Sequence, residues 1–323
     1  KACLCKTLDG HSGLTVETLP DPEPGPSEIR VKVKACALNF FDTLITRGKY
    51  QFKPDLPFSP SAEFAGVVDR VGEGVSEFSP GDRVMGYIKW GAARELVIAA
   101  EDDLVALPDD VSFEAAAGLA VTYGTTLHAF RDRARLQPKE TVAVLGASGG
   151  VGQAAVEIAL LMGCRVIACA SSDEKLAFAR ELGATDTVDY SKQPLKETLK
   201  ALTDGAGVDV VYDPVGGELA EQALRATAWE GRFLVIGFAA GEIPKIPLNI
   251  PMLKGCDIRG VFWGDAVSRD PKGHKANMEQ LLKWVADGRL KPHTHAVYPL
   301  DEIPAALDQI AARKVLGKVI VTP

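Results

Sequence analysis

Glycines 146, 149 and 152 recur at every third position within AVLGASGGVGQAAVEIALLMGCRVIACASSDEK, residues 143–175. An apolar run at 141–145 precedes them, and an apolar pattern of helical spacing at 151–162 follows. Glycine lets the chain turn sharply and lets backbone N–H groups approach an anion closely. A helix that starts at such a turn adds unpaired N–H groups and the positive end of its dipole. Gly146, Gly149, Gly150 and their neighbours therefore suit the pyrophosphate of a dinucleotide. The competing reading is a tight turn that holds no ligand.

About twenty residues beyond such a turn, a carboxylate usually holds the ribose 2′-hydroxyl of NAD. This chain has Ala170, Ser171 and Ser172 there, followed by Lys175. The serines donate hydrogen bonds without repelling a 2′-phosphate, and Lys175 offers it a point charge. The expected cofactor is NADPH. Asp173 and Glu174 also lie in this stretch and are expected in the first turn of the next helix, where they offset its dipole. A solvated helix lysine is the alternative for Lys175.

These residues need a frame. Residues 1 to 120 read as β-rich: SEIRVKVKACALN alternates polar and apolar residues as a half-buried strand does, and EFAGVVDRVGEGVSEFSPGDRVMGY reads as strand, glycine turn, loop and strand. The alternating prolines of LPDPEPGPSE predict a stiff surface connection rather than a polyproline ligand. From about residue 120, strands alternate with helices. Strands are expected at 141–145, 165–169 and within ATDTVDY, VDVVYDPVG, GRFLVIGFAAG and CDIRGVFW. Helices are expected at 151–162, through DEKLAFAREL up to Gly183, at 194–202 and at 218–227. Such alternation predicts an α/β fold, a doubly wound parallel sheet with helices on both faces. The tail, MEQLLKWVADGRL then LGKVIVTP, returns to helix and strand and is expected to fold back on the first domain.

At 323 residues, two domains are expected, and no internal repeat is visible. A net charge of −7 gives no help to a nucleic-acid or anionic-membrane partner. No apolar run approaches the ~20 residues of a membrane span. The opening KACLCKTLDG has no hydrophobic signal core, which points to the cytoplasm, and no methionine, so the numbering is expected to omit at least one residue. Six cysteines without a CxxC pair are expected to be reduced.

Eight stretches, taken in order, are similar to the medium-chain dehydrogenase/reductase superfamily over essentially the whole chain: ALNFFDTLITRGKY, EFAGVVDRVGEGV, GDRVMGY, LGASGGVGQAA, LGATDTVDY, VVYDPVGG, GRFLVIGFA and GKVIV. Within it the chain resembles the zinc-free quinone oxidoreductases related to zeta-crystallin. The resemblance implies a GroES-like catalytic domain from residues 1–120 and 265–323 and a Rossmann NADPH-binding domain from 121–264. Asn39 stands where the alcohol dehydrogenases of the superfamily have a zinc-ligand cysteine, and Ala62 before Glu63 stands where they have the histidine of GHE. No structural-zinc cysteine lobe is present, and His293 and His295 read as the approach to a strand rather than a metal pair. No metal is expected, which favours acceptors that take hydride without a Lewis acid.

The resemblance further implies that Ser148, Gly149, Gly150 and Val151 cradle the pyrophosphate. It gives Ser171, Lys175 and Tyr190 the 2′-phosphate end, although Tyr190 also reads as a half-buried sheet residue. Thr125, Gly237, Phe238, Phe262 and Trp263 line the nicotinamide and its ribose, and Lys318 contacts the cofactor from the tail. Asn39 and Tyr50 face the reacting carbon; Tyr50 is either the hydrogen-bond or proton donor or a packed tyrosine, and Glu63 supports the site. The activity so implied is NADPH-dependent hydride transfer to a quinone. The alternatives are reduction of an activated alkene (2-alkenal, enone, 2-haloacrylate or acryloyl thioester) and a non-catalytic NADPH-binding structural or RNA-binding role. The apolar strand CDIRGVFW at the sheet edge, with the resemblance, implies a homodimer.

Overall fold

The computed structural model describes residues 1–323. The chain packs into two compact units, one formed by residues Lys1–Gly124 and Gly264–Pro323, the other by Thr125–Trp263. Fifteen strands occur in chain order: Ala2–Cys5 (β1), Leu14–Glu17 (β2), Glu28–Leu38 (β3), Glu63–Val71 (β4), Arg83–Tyr87 (β5), Leu96–Ala100 (β6), Leu104–Ala106 (β7), Thr141–Leu145 (β8), Arg165–Ala170 (β9), Asp186–Asp189 (β10), Val208–Asp213 (β11), Thr227–Val235 (β12), Asp257–Gly260 (β13), Thr294–Pro299 (β14) and Lys318–Thr322 (β15).

The first unit is built on a sheet ordered β14-β15-β3-β4-β5-β7, with β6 also paired to β3. Its alternating segment does form β3. Lys32 and Lys34 point outward, but from Ala35 onward the strand is buried on both faces. The tail joins this unit: Val319, Ile320 and Val321 of β15 pair antiparallel with Leu38, Ala37 and Cys36. Ile29, Val31, Phe64, Leu104, Val319 and Val321 lie at its core. The proline-rich connection is tied down by Arg30, a buried guanidinium that donates to the Pro22 carbonyl at 2.9 Å and to Asp69 at 2.6 Å.

The second unit carries a six-stranded sheet ordered β10-β9-β8-β11-β12-β13, with every neighbour parallel. This is the doubly wound order of a Rossmann domain. Helices Gly150–Leu161, Asp173–Glu181, Leu195–Ala201 and Glu218–Ala226 connect the strands. The core gathers Ala143, Leu145, Ile167, Cys169, Val211 and Leu224. Two details differ from the sequence reading. The last strand ends at Gly260, Val261 and Phe262 lie beyond it, and Trp263 opens a helix. A π-helical segment, His128–Ala134, continues the helix Ala120–Leu127, and its Arg133 donates to the Gly260 carbonyl at 3.0 Å.

Candidate active site

In a parallel doubly wound sheet, loops at the carboxyl ends of the strands share one edge and form the ligand crevice. Gly146–Val151 follows β8, Ser171 and Lys175 follow β9, Tyr190 follows β10, Gly237 and Phe238 follow β12, and Phe262 follows β13. Residues far apart in sequence therefore meet on that edge of the second unit.

The glycines each have a separate reason. Gly146 has a φ of 59°, which side-chain-bearing residues rarely adopt. A Cβ on Gly152 would lie 2.1 Å from the Gly146 carbonyl oxygen, so the helix sits that close to the turn. A Cβ on Gly149 would find nothing nearer than 3.6 Å; its absence keeps the start of helix Gly150–Leu161 open, and no side chain caps that end. An anion has room and donors there, so the residues present fit a dinucleotide pyrophosphate.

Ser172 caps the next helix, its Oγ accepting from the Lys175 N–H at 3.4 Å, and Asp173 and Glu174 fall in the first turn as expected. The Lys175 ammonium donates to Ser171 Oγ at 3.3 Å, so the hydroxyl and the charge converge on one spot. Tyr190 is partly buried and packs on the core, so its ring is structural whatever its hydroxyl does. Asp213, at the end of β11, accepts from the Val215 and Gly216 N–H groups at 2.8 and 2.9 Å, and burial pushes its carboxyl up to about 6. That carboxylate shapes the turn beside Gly237, whose N–H reaches the Asp213 carbonyl. Thr125 is half-buried, Phe262 is largely exposed and Trp263 is buried.

Three strand ends of the first unit build a second constellation. Asn39 follows β3, Glu63 opens β4 opposite Ala37, and Lys318 opens β15 beside the Val319–Leu38 pair. The Lys318 ammonium donates to Asn39 Oδ1 at 2.6 Å, to Glu63 Oε1 at 2.8 Å and to the Leu38 carbonyl at 3.3 Å. Asn39 Nδ2 donates to Glu63 Oε1 at 2.8 Å, and the Val121 N–H donates to Glu63 Oε2 at 2.8 Å. An ammonium has three donors, and Lys318 uses all three inside this buried cluster. The resemblance implies that Lys318 contacts the cofactor from the tail, and these bonds place its ammonium between Asn39 and Glu63. Beneath it, Asp42 is fully buried and holds the Asn39 and Ser61 N–H groups at 2.8 Å each; burial pushes its carboxyl up to about 7. Sequence reading missed Asp42 as an anchor, and only the FFD that follows Asn39 could have signalled it.

Tyr50 is half-buried. It stacks on Phe41 at 5.1 Å and meets Phe52 edge-on at 5.6 Å, and Trp90 lies 6.3 Å beyond Phe52. Desolvation raises its phenol to about 12, so the hydroxyl stays protonated at neutral pH and can donate.

Two family profiles match the chain. The alcohol dehydrogenase GroES-like domain covers residues 25–109, and the zinc-binding dehydrogenase profile covers 150–287. Quinone oxidoreductase-like protein 2 of Rattus norvegicus is 40% identical over 323 residues, covering 100% of this chain and 92% of that protein. The chain belongs to the quinone oxidoreductase branch of the medium-chain dehydrogenases/reductases. The crystal structure of the Pseudomonas syringae quinone oxidoreductase is similar at a TM-score of 0.94 and 33% identity, covering 100% of this chain and 99% of that one. The Escherichia coli quinone oxidoreductase crystallised with NADPH gives a TM-score of 0.91 at 28% identity, with the same coverage.

One profile's description mentions zinc, and the side chains of this family member do not fit that ion. No cluster of three or more His, Cys, Asp or Glu side chains is arranged to hold a metal. At the Asn39–Glu63 position the donors already face a lysine ammonium, which would repel a divalent cation. His295, the second residue of β14, accepts from the Leu316 N–H through its Nδ1 at 3.4 Å.

Proposed function

We propose that this oxidoreductase uses NADPH to reduce quinones and needs no zinc to do so. The observation that carries this reading is the Lys318 ammonium seated between Asn39 Oδ1 and Glu63 Oε1. A cation built from the chain stands among the groups that would have to bind a metal. NADPH is supported by the convergence of Lys175 on Ser171 and by the family members crystallised with that cofactor.

NADPH supplies a hydride when bound. The chain's own residues position and stabilise. Ser148, Gly149, Gly150 and Val151 take the pyrophosphate, while Ser171, Lys175 and Tyr190 take the 2′-phosphate. Thr125, Gly237, Phe238, Phe262 and Trp263 take the nicotinamide ribose. Lys318 and Glu63 fix both ends of the Asn39 amide, whose second N–H is not used within the cluster and is offered to the acceptor. Tyr50 donates its hydroxyl to the oxyanion formed by reduction. A quinone asks little more, because its reduced anion is delocalised.

Kinetics with a panel of acceptors tests this. NADPH should turn over fastest with naphthoquinone or phenanthrenequinone, more slowly with enones, and a chelator should leave the rate unchanged. Tyr50→Phe should slow enone reduction more than quinone reduction. Stoichiometric zinc with chelator-sensitive alcohol oxidation would overturn the proposal.

The functional form is a homodimer joined through the second unit. β13 is the unpaired edge of its sheet. Beside it Leu248, Met252 and Leu253 are 79%, 72% and 69% exposed, and Trp229, lying against Gly255, is 69% exposed. Exposed apolar side chains in the same unit as an open strand edge suit a second copy of the same surface. Six unpaired, buried thiols suit a reducing compartment such as the cytoplasm, and no helix is long and apolar enough to cross a membrane.

A further inference from the structure

The end of the second unit that receives the adenosine also carries carboxylates. Asp173 is the first residue of its helix. Asp189 is the last residue of β10 and pairs across the ladder with Ala170, the residue before Ser171. The Tyr190 N–H bonds the Ala170 carbonyl at 3.1 Å, which locks the two strand ends together. Two negative groups therefore flank the place where Ser171 and Lys175 converge. A 2′-phosphate carries about two negative charges, so this neighbourhood would oppose it if left uncompensated.

Lys192 compensates it. Its ammonium lies 2.8 Å from Asp173 Oδ2 and 3.1 Å from Asp189 Oδ2, bridging the helix start and the strand end. Asp189 is buried, and the Ser191 N–H and O–H occupy its Oδ1 at 3.0 and 2.5 Å. Its Oδ2 takes no directed hydrogen bond, so the Lys192 charge is what balances it. Those contacts hold the Asp189 carboxyl below its ordinary range and the Lys192 ammonium above its own. Lys192 is itself 58% exposed, so its charge also faces the solvent from which a phosphate arrives. Lys175 and Ser171 recognise the phosphate, but with Lys192 gone, a single lysine would face two carboxylates.

We propose that Lys192 is a specificity-determining residue: by neutralising Asp173 and Asp189 it permits a 2′-phosphate beside Ser171 and Lys175, and so sets the preference for NADPH over NADH. The inference rests on the NADPH reading above. A purely structural lysine would affect both nucleotides alike, because they share everything except that phosphate.

Fluorescence titration of the full chain with NADPH and with NADH separates these cases. Lys192→Met should lower the NADPH-to-NADH affinity ratio by about tenfold, the scale of one charge interaction near a screened surface, with NADH affinity within about twofold of wild type. Lys192→Arg should keep the ratio. Adding Asp173→Asn to Lys192→Met should restore most of it, since one of the two uncovered charges is then removed. If Lys192→Met leaves the ratio unchanged, or weakens both nucleotides equally, the inference is wrong while the NADPH reading stands. If the wild-type chain binds NADH as tightly as NADPH, the cofactor reading fails and takes this inference with it.

Discussion

Lys318 and His274 show two ways in which a buried ionisable side chain is accommodated. Lys318 is surrounded by three acceptors, one for each of its donors. His274, on helix Pro271–Ala286, gives its charge up: it is buried edge-on to Tyr87 at 6.2 Å, and desolvation lowers its imidazolium to about 4. The unfolded chain takes up that proton near pH 6.5 and the folded chain does not, so His274 favours folding above pH 6.5. That contribution is lost as pH falls from 6.5 towards 4. Urea unfolding across this range should show wild type losing on the order of 2–3 kcal/mol more than His274→Gln; parallel curves would mean that His274 is not held neutral. The sequence made part of this scale legible. Asn39, Glu63 and Lys318 each stood out there, but not their mutual bonds, because Asn39 and Lys318 are 279 residues apart and only strand pairing joins them. Lys192 gave no signal at all, since a lysine two residues after a tyrosine reads as surface until the helix start and strand end are side by side.

Among the elements, the strand–turn–helix at residues 141–161 was the most legible, because periodicity and glycine chemistry agree there. Its glycines should separate by role. Gly152→Ala would force a Cβ to 2.1 Å from a backbone oxygen and should cost on the order of 1–3 kcal/mol of stability. Gly149→Ala meets only ordinary contact at 3.6 Å, so it should melt like wild type yet bind NADPH more weakly. Calorimetry with and without nucleotide distinguishes the two, and similar melting losses in both would refute the distinction. The π-helical His128–Ala134 was not legible. A widened turn leaves no periodic mark in seven residues, and its partner, the Gly260 carbonyl, lies 127 residues away. The end of β13 was missed for a related reason: GVFW is as apolar as a strand, but the pairing with β12 stops at Gly260, followed only by one bond from the Val261 N–H to the Val235 carbonyl.

For the whole molecule, the apolar face of the second unit yields a direct prediction. The wild-type chain at micromolar concentration should scatter light as a dimer, and Met252→Glu with Leu253→Glu should give a folded monomer; a wild-type monomer would refute the assembly. The division into units was broadly legible from the change of pattern near residue 120, but the return of the tail also requires β15 to lie against β3, a pairing that only the folded sheet reveals. That return has a consequence during synthesis. The ribosome releases Asn39 and Glu63 early, then all of the second unit, and only afterwards Lys318. The nascent protein can finish its nucleotide-binding unit first, while Glu63 still waits for its cation. The Asn39–Glu63–Lys318 cluster of the first unit therefore cannot be completed until the whole of the second unit has been synthesised.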